Sequence, residues 1–528
     1  MYSNNFHRRE FLRQTGLLSL GMGLMPPGIR EFQRFFDNGT SAFPKISPEQ
    51  AGISSAALTK FLTEADKSGL ELHSFMLLRH GKLVTEAWWK PFDRDYIHTL
   101  YSLSKSFTST AVGLAVKEGK FKVTDKVVSF FPEHLPAQVS DNLAKMEVQH
   151  LLTMSTGHGK DTIPIMRQNS PASWMKSFLA VPVEFEPGTH FLYNTGATYM
   201  LGAIVYKTTR QTLSDYLTPR LFKPLGITKA DWEKSPEGLN LGGYGLRVTT
   251  EDIARFGQMY LQKGKWNDKE ILPEAWVQEA TTSHIKSGDS NNDWSQGYGY
   301  QFWRCKPGFY RGDGAFGQFC IVMPQYDAVV AITGESKNMQ GDMDLVWNLI
   351  LPEFKEQPLT ENATDRKALD ALIASLSLPA QPGNKTGAAQ KKTEDKTILL
   401  AKNRWGLTAV KLSYNGKGGK WSLTGDRGET IIPFGWNKWE VTGKGIINPF
   451  TVDYRTQVSS KVAASAGWEN DNILKIRLKY VEGIHGDLVT FDFSGAEVKI
   501  SLLNSLAEKS PTNNKEEREP LTGTIMQS

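Results

Sequence analysis

Cysteine is almost missing from this chain: Cys305 and Cys320 are the only two among 528 residues. At most one disulfide can form between them, and two buried free thiols are the equal alternative. Histidine occurs ten times but never at a metal-ligand spacing such as His-Glu-x-x-His, so no metal is implied. A strong excess of one charge is missing as well. Much of the formal net charge of +5 sits in the first thirty residues, where Arg8, Arg9, Arg13 and Arg30 face Glu10 alone. Nothing in the remainder suggests a nucleic-acid surface. Long hydrophobic runs are absent too. The apolar stretch near the start, Thr15 to Met25, is too short to cross a bilayer, so no stable membrane span is expected. There are no internal repeats.

What is present begins with a basic start. His7-Arg8-Arg9-Glu10-Phe11-Leu12-Arg13, the apolar stretch and Pro26-Pro27-Gly28 look like a twin-arginine export signal. An exported protein, periplasmic or extracellular, is expected, with residues 1–42 as signal and spacer. No cysteine follows the apolar stretch, which argues against a lipoprotein anchor. Beyond it, Ser54 to Ser68 reads as a helix, and Ser74–Arg79 and Leu83–Trp88 as a β-hairpin turned by His80-Gly81-Lys82. Helices follow, and strands return from Gly297: Tyr298–Cys305, Phe309–Arg311, Gln318–Met323 and Ala328–Thr333. A closing helix is expected over Met343–Phe354. A domain that starts and ends in strands, with helices between, predicts an α+β layout whose terminal strands share one sheet. That domain spans 43–360. Residues 361–396 read as a helix and a linker, since Leu378 to Asp395 has little to bury. From 397 to 505 the texture changes to short strands. The clearest is Leu474-Lys475-Ile476-Arg477-Leu478-Lys479-Tyr480, with one apolar and one basic face. These strands predict a small all-β barrel, and residues 506–528 a polar, disordered tail.

The chemistry gathers at Leu100-Tyr101-Ser102-Leu103-Ser104-Lys105. Residues three apart on a helix share a face, so Ser102 and Lys105 are expected side by side. An amine whose pKa burial has lowered can take the serine proton. Alone, Ser-x-x-Lys is a weak signal, because a capping serine beside a solvated lysine has the same spacing. Two further stretches strengthen it. Glu186-Pro187-Gly188-Thr189-His190-Phe191-Leu192-Tyr193-Asn194-Thr195 places a tyrosine on a loop, where it can relay a proton. Tyr310-Arg311-Gly312-Asp313-Gly314-Ala315-Phe316-Gly317 formally matches Gly-x-Gly-x-x-Gly. A dinucleotide fingerprint needs a helix next, whereas Gln318–Met323 reads as a strand, so a close backbone approach is the better reading.

In this order the three stretches resemble the serine β-lactamase and penicillin-binding-protein superfamily, in particular its class C-like serine hydrolases. Leu151-Leu152-Thr153-Met154-Ser155-Thr156-Gly157 and Gly243-Tyr244-Gly245-Leu246-Arg247 support the resemblance, which covers roughly residues 45–355. It implies a β-lactamase/transpeptidase-like domain that acts on a small ester, amide or peptide without a cofactor. By that resemblance Ser102 is the nucleophile, Lys105 its base and Tyr193 a proton-transfer partner. The backbone N–H groups of Ser102 and Ala315 form the oxyanion hole, and Asn194, Thr195, Asp313 and Gly314 line the substrate. Two departures stand out. The usual Tyr-x-Asn is Tyr193-Asn194-Thr195 here, which displaces the amide by one residue or replaces it with the Thr195 hydroxyl. The usual Lys/His-Thr/Ser-Gly is Gly312-Asp313-Gly314, so the cation that meets a substrate carboxylate is missing. Arg311 shares a strand face with Asp313 and can neutralise it. The expected activity is therefore ester or amide hydrolysis. A D-alanyl-D-alanine carboxypeptidase or β-lactamase, using Arg311 or Arg247 as the cation, is the alternative, and a non-catalytic binding protein is the remote one. The all-β part resembles the lipocalin-like domain appended to some of these hydrolases, as a packing partner.

Overall fold

Helix α1 (Ser55–Lys67) opens the α+β half. Ser54 caps it by accepting from Ala57 N, and Ala57, Leu58, Phe61, Leu62 and Ala65 form its buried stripe. The computed structural model describes residues 41–169, 173–448, 450, 459–510 and 514–526. The expected export signal lies outside these residues.

After α1 the chain forms the hairpin β1 (Leu72–Arg79) and β2 (Lys82–Trp88), and β1 is buried along its whole length. Burial along the whole strand, with the apolar run Phe75–Leu78 in its middle, marks a central strand covered on both faces. The strands that return late are β3 (Trp303–Arg304), β4 (Tyr310–Gly314), β5 (Gln318–Met323) and β6 (Ala328–Gly334). The six form one antiparallel sheet in the order β2-β1-β6-β5-β4-β3. Met76 pairs with Ala331, so the two ends of the domain share a sheet, as the α+β expectation requires. The stretch read as a strand over Tyr298–Cys305 is shorter, a strand only at Trp303–Arg304, with Tyr298 making isolated bridges to Ile285 and Trp303.

Helices cover both faces of the sheet. Between the two sets of strands come α2 (Ser104–Lys117), α3 (Thr195–Thr209) and α4 (Thr250–Leu261). Gly257 of α4 lies against Val329 and Cys320, where a Cβ would stand 2.6 and 2.8 Å from their side chains. On the opposite face α1 packs with α5 (Met339–Leu349) and α6 (Ala363–Ser375) around Phe61, Phe75, Met343 and Leu369. Helix α2 is buried from Ser104 to Ala115 although it carries many hydroxyls. Most find a partner where water is excluded, Ser109 Oγ being the exception. Thr108 donates to Gly242 O (2.9 Å), Ser106 to Gln301 O (2.8 Å) and Thr110 to Ser106 O (2.9 Å).

Residues 378–395, expected as a linker, are tied down instead. Ala389 and Thr393 are buried, and Asn384 exchanges backbone hydrogen bonds with Trp468. The barrel comprises β7 (Thr397–Leu400), β8 (Leu407–Asn415), β9 (Gly418–Gly425), β10 (Gly428–Trp436), β11 (Val462–Asn470), β12 (Ile473–Tyr480), β13 (Gly486–Asp492), β14 (Val498–Asn504) and β15 (Leu521–Ile525). Neighbours pair antiparallel, and a parallel contact of Gly435 with Ser465 closes β10 on β11. Two of these strands depart from the sequence reading. The tail expected to be disordered contributes a short helix, Ser505–Lys509, and then β15, which fills the place between β7 and β14. Without β15 both neighbours would present bare edges. Strand β11 escaped notice because it does not alternate. Val462, Ala464, Ala466 and Trp468 face the barrel core, while Ala463 on the other face joins the core of the α+β half. A strand covered on both sides carries small and apolar residues throughout.

Candidate active site

The site forms where β4 crosses the start of α2. Ser102 lies on a single 3-10 turn, Tyr101–Leu103, and α2 begins at Ser104. Strand β4 runs so close that a Cβ on Gly314 would stand 2.0 Å from Leu100 O and 3.0 Å from Ser102 N. At Gly312 it would stand 2.5 Å from Leu103 Cδ1. Alternate strand residues face the same way, so the glycines of Gly312-Asp313-Gly314 are dictated by this crossing. Tyr101 holds a left-handed φ of +45°, and Phe316, beside Ala315 in the β4–β5 turn, a φ of +67°. Bulky residues keep such angles only where their surroundings impose them.

Lys105 Nζ lies 3.0 Å from Ser102 Oγ and donates to Gly243 O at 2.8 Å. The side chain is almost fully buried. Burial lowers its pKa to about 7, against the opposing fields of Asp161 and Asp313. Nζ donates to both Gly243 O and Ser102 Oγ, and near pH 7 it is poised between its charged and neutral forms. Tyr193 completes the group. Lys105 Nζ stands 4.8 Å from its ring centroid, and the ring stacks on Trp303 at 5.5 Å. Burial and then the Asp313 charge push the Tyr193 pKa up, against a hydrogen bond with Ser102 that pulls it down. The phenol therefore keeps its proton at neutral pH.

The remaining expected residues divide. Thr195 opens α3 and lies against Gly243, whose added Cβ would meet its Cγ2 at 2.7 Å. Ala315 is half-buried in the β4–β5 turn. Asn194 is not on the substrate side. Its side chain is completely buried and caps α3, accepting from Gly196 N (3.2 Å), Thr162 N (3.1 Å) and Thr162 Oγ1 (2.8 Å). Its amide nitrogen points at Thr156 Oγ1, 3.3 Å away. An amide with this many internal partners has none to offer a ligand. Asp313 is likewise spent. Arg311 Nε donates to it at 2.9 Å, and the Trp294 side chain bonds to it as well. Arg311 is itself fully buried and also bonds to Asp293 O and Arg304 O, each at 3.0 Å. Arg247 is paired with Asp231 and bonds to Ser459 O. Arg247 is thus paired, and Arg311 commits Nε and Nη1 to Asp313 and backbone oxygens, with its buried Nη2 left without a hydrogen-bond partner. Cys305 and Cys320 are both buried free thiols.

The profile of the beta-lactamase family matches residues 59–352. The chain belongs to the beta-lactamase family. Among its curated relatives is a beta-lactamase of Escherichia coli, 25% identical over 241 residues that make up 41% of this chain and 61% of the relative. A 6-aminohexanoate-dimer hydrolase of Paenarthrobacter ureafaciens is 24% identical, over 49% of this chain and 71% of the relative. Among solved structures, an octameric penicillin-binding protein homologue from Pyrococcus abyssi covers 88% of this chain and 99% of its own, with a TM-score of 0.47 and 16% identity.

Two features of this beta-lactamase-family chain carried no signal in its sequence. Asp161, whose Oδ1 accepts from Thr195 N at 2.9 Å, lends its charge to Lys105 and Tyr193. A lone aspartate in a loop has no spacing that would single it out. The second is an acidic cluster where the barrel meets the hydrolase half. Glu71, His73 and Glu335 offer ligand atoms within 4.8 Å of one another. The space between them already holds ammonium groups: Lys509 bonds to Glu71 at 2.6 Å and to Glu335 at 2.9 Å, and Lys479 to Glu335 at 2.8 Å. A cation there would have to displace two lysines, so the cluster reads as an ionic bond between the two halves. Among the described residues, no helix is long and apolar enough to cross a membrane.

Proposed function

We propose that the chain hydrolyses an ester or amide through an acyl-enzyme on Ser102. The neutral Lys105 amine takes the Ser102 proton while Oγ bonds to the substrate carbonyl carbon. The carbonyl oxygen becomes an oxyanion held by the backbone N–H groups of Ser102 and Ala315. The proton passes to the leaving group, with the Tyr193 O–H as relay, and the bond to that group breaks. Water then attacks the ester, losing its proton along the same path, and frees Ser102. Thr195 and the backbone at Gly314 remain as the groups that orient the substrate. The observation that carries this reading is the 3.0 Å contact between a buried amine and Ser102 Oγ. With Arg311 and Arg247 both paired, the preferred substrates have no carboxylate beside the scissile bond. The twin-arginine-like start adds an exported location to the reading.

The test is intact mass and turnover with p-nitrophenyl butyrate and, separately, with a fluorescent penicillin. Rapid ester turnover without a penicilloyl adduct, abolished in Ser102→Ala, is expected. A stable penicilloyl adduct on Ser102 would put peptidase or β-lactam chemistry first. No turnover, together with no labelling by a serine-directed phosphonate, would leave a binding protein.

A further inference from the structure

We propose that His485, supplied by the barrel, is a positioning residue that holds the oxyanion hole of the hydrolase half in shape. The proposal rests on the reading of Ser102 as nucleophile. The two backbone N–H groups assigned to the hole belong to Ser102 and Ala315. Each is a direct neighbour of an aromatic residue in a left-handed conformation, Tyr101 (φ +45°) before Ser102 and Phe316 (φ +67°) after Ala315. The angles at Tyr101 set the direction of the peptide group that carries the Ser102 N–H, and those at Phe316 fix the turn immediately after Ala315, so whatever holds the two rings fixes the backbone on which both N–H groups sit.

His485 holds both. Its ring meets Phe316 edge-on at 4.9 Å and Tyr101 at 6.0 Å, while the two aromatic rings meet each other at 5.4 Å. Its Nε2 lies 2.8 Å from the Tyr101 hydroxyl, and its Nδ1 lies 2.8 Å from Glu335 Oε1. Burial works against charge on Glu335, but the His485 hydrogen bond and the ammonium groups of Lys479 and Lys509 outweigh it and keep the carboxylate ionised. A carboxylate has no proton to give, so Nδ1–H donates to it. Nε2, on the other side of the ring, shares a hydrogen bond with the Tyr101 hydroxyl. The next residue, Ser336, donates its backbone N–H to Phe316 O at 2.9 Å. Glu335 and Ser336 thus anchor the arrangement from below, and His485 closes it from the barrel. Oxyanion donors act only when fixed within a few tenths of an ångström of the developing charge. On this reading the barrel is a structural part of the catalytic apparatus.

The experiment uses the full chain and measures kcat and KM for p-nitrophenyl butyrate, the rate of phosphonate labelling at Ser102, and the thermal midpoint. His485→Ala is expected to lower kcat and the labelling rate by about ten- to a hundredfold, with KM within about twofold of wild type. Tyr101→Phe keeps the ring and loses only the hydroxyl, and should lose less. The double variant should be no slower than His485→Ala alone, because the two groups act as one unit. His485→Gln, whose amide can donate to Glu335 and accept from Tyr101, should recover part of the rate. A folded His485→Ala with wild-type kcat and labelling rate overturns the proposal. If His485→Ala does not fold, a Tyr101→Phe variant that labels at the wild-type rate overturns it equally. Absence of labelling in the wild type would instead remove Ser102 as nucleophile, and this proposal with it.

Discussion

Lys105 and Lys479 are both buried in this molecule, and they do opposite things. Lys105 touches a hydroxyl and a carbonyl, with the nearest carboxylates acting only as fields, and burial brings its pKa down to about 7. Lys479 is buried too, but Glu71 and Glu335 contact it directly and raise its pKa instead. Burial without a counter-ion turns an ammonium into a base, whereas burial with two counter-ions makes it a clamp. The hydrolase half spends stability on the first, and the joint with the barrel gains cohesion from the second.

Substituting each lysine by methionine tests that contrast most severely. Lys105→Met should lose about 10⁴-fold or more in kcat/KM with p-nitrophenyl butyrate. It should also be more stable at neutral pH, because the folded chain no longer has to shed or bury a proton. Between pH 7 and 10.5 the unfolded chain holds that proton and the folded chain does not, so stability of the wild type rises with pH across this window. The gain from Lys105→Met should accordingly be about 1–3 kcal/mol in urea unfolding at pH 7 and should fade towards pH 10.5. Lys479→Met should move stability the other way, by about 3–5 kcal/mol in the same assay, since it leaves the buried Glu335 and the partly buried Glu71 with Lys509 as their one remaining ammonium partner. Equal signs for the two variants would break the comparison.

Smaller effects sharpen it. The wild-type kcat/KM should fall about tenfold per unit as pH drops below 7, as Lys105 takes up its proton. A flat profile down to pH 5 would mean that Lys105 is not the base. Asp161→Asn keeps the acceptor for Thr195 N and removes only a charge that favours the protonated amine. It should shift the acidic limb to lower pH by less than about one unit, and a shift to higher pH would reverse the assigned sign.

How much of this was readable in advance depends on the range of the interaction. The Ser102–Lys105 contact and the Arg311–Asp313 pair follow from helix and strand periods, and both are within hydrogen-bond distance. The alternating strands announced the barrel. Asn194 misled, because a motif position says nothing about which way a side chain turns, and Thr162 and Gly196 claim it from different elements. Strand β15 misled for the opposite reason. Its few apolar residues look dispensable in a polar tail, yet β7 and β14 each need an edge partner.

The sequence by itself determined which residues meet through local geometry: a serine one turn from a lysine, a hairpin, a glycine strand and an alternating barrel wall. These depend on backbone periods that a few residues encode. Only the tertiary structure decided what those residues are worth. The Lys105 pKa needs the surrounding chain to shut out water. The ionised Glu335 needs lysines from the barrel, and His485 reaches Tyr101 only because the two halves are docked. Burial and charge pairing are sums over distant parts of the chain, and no short stretch of sequence contains them.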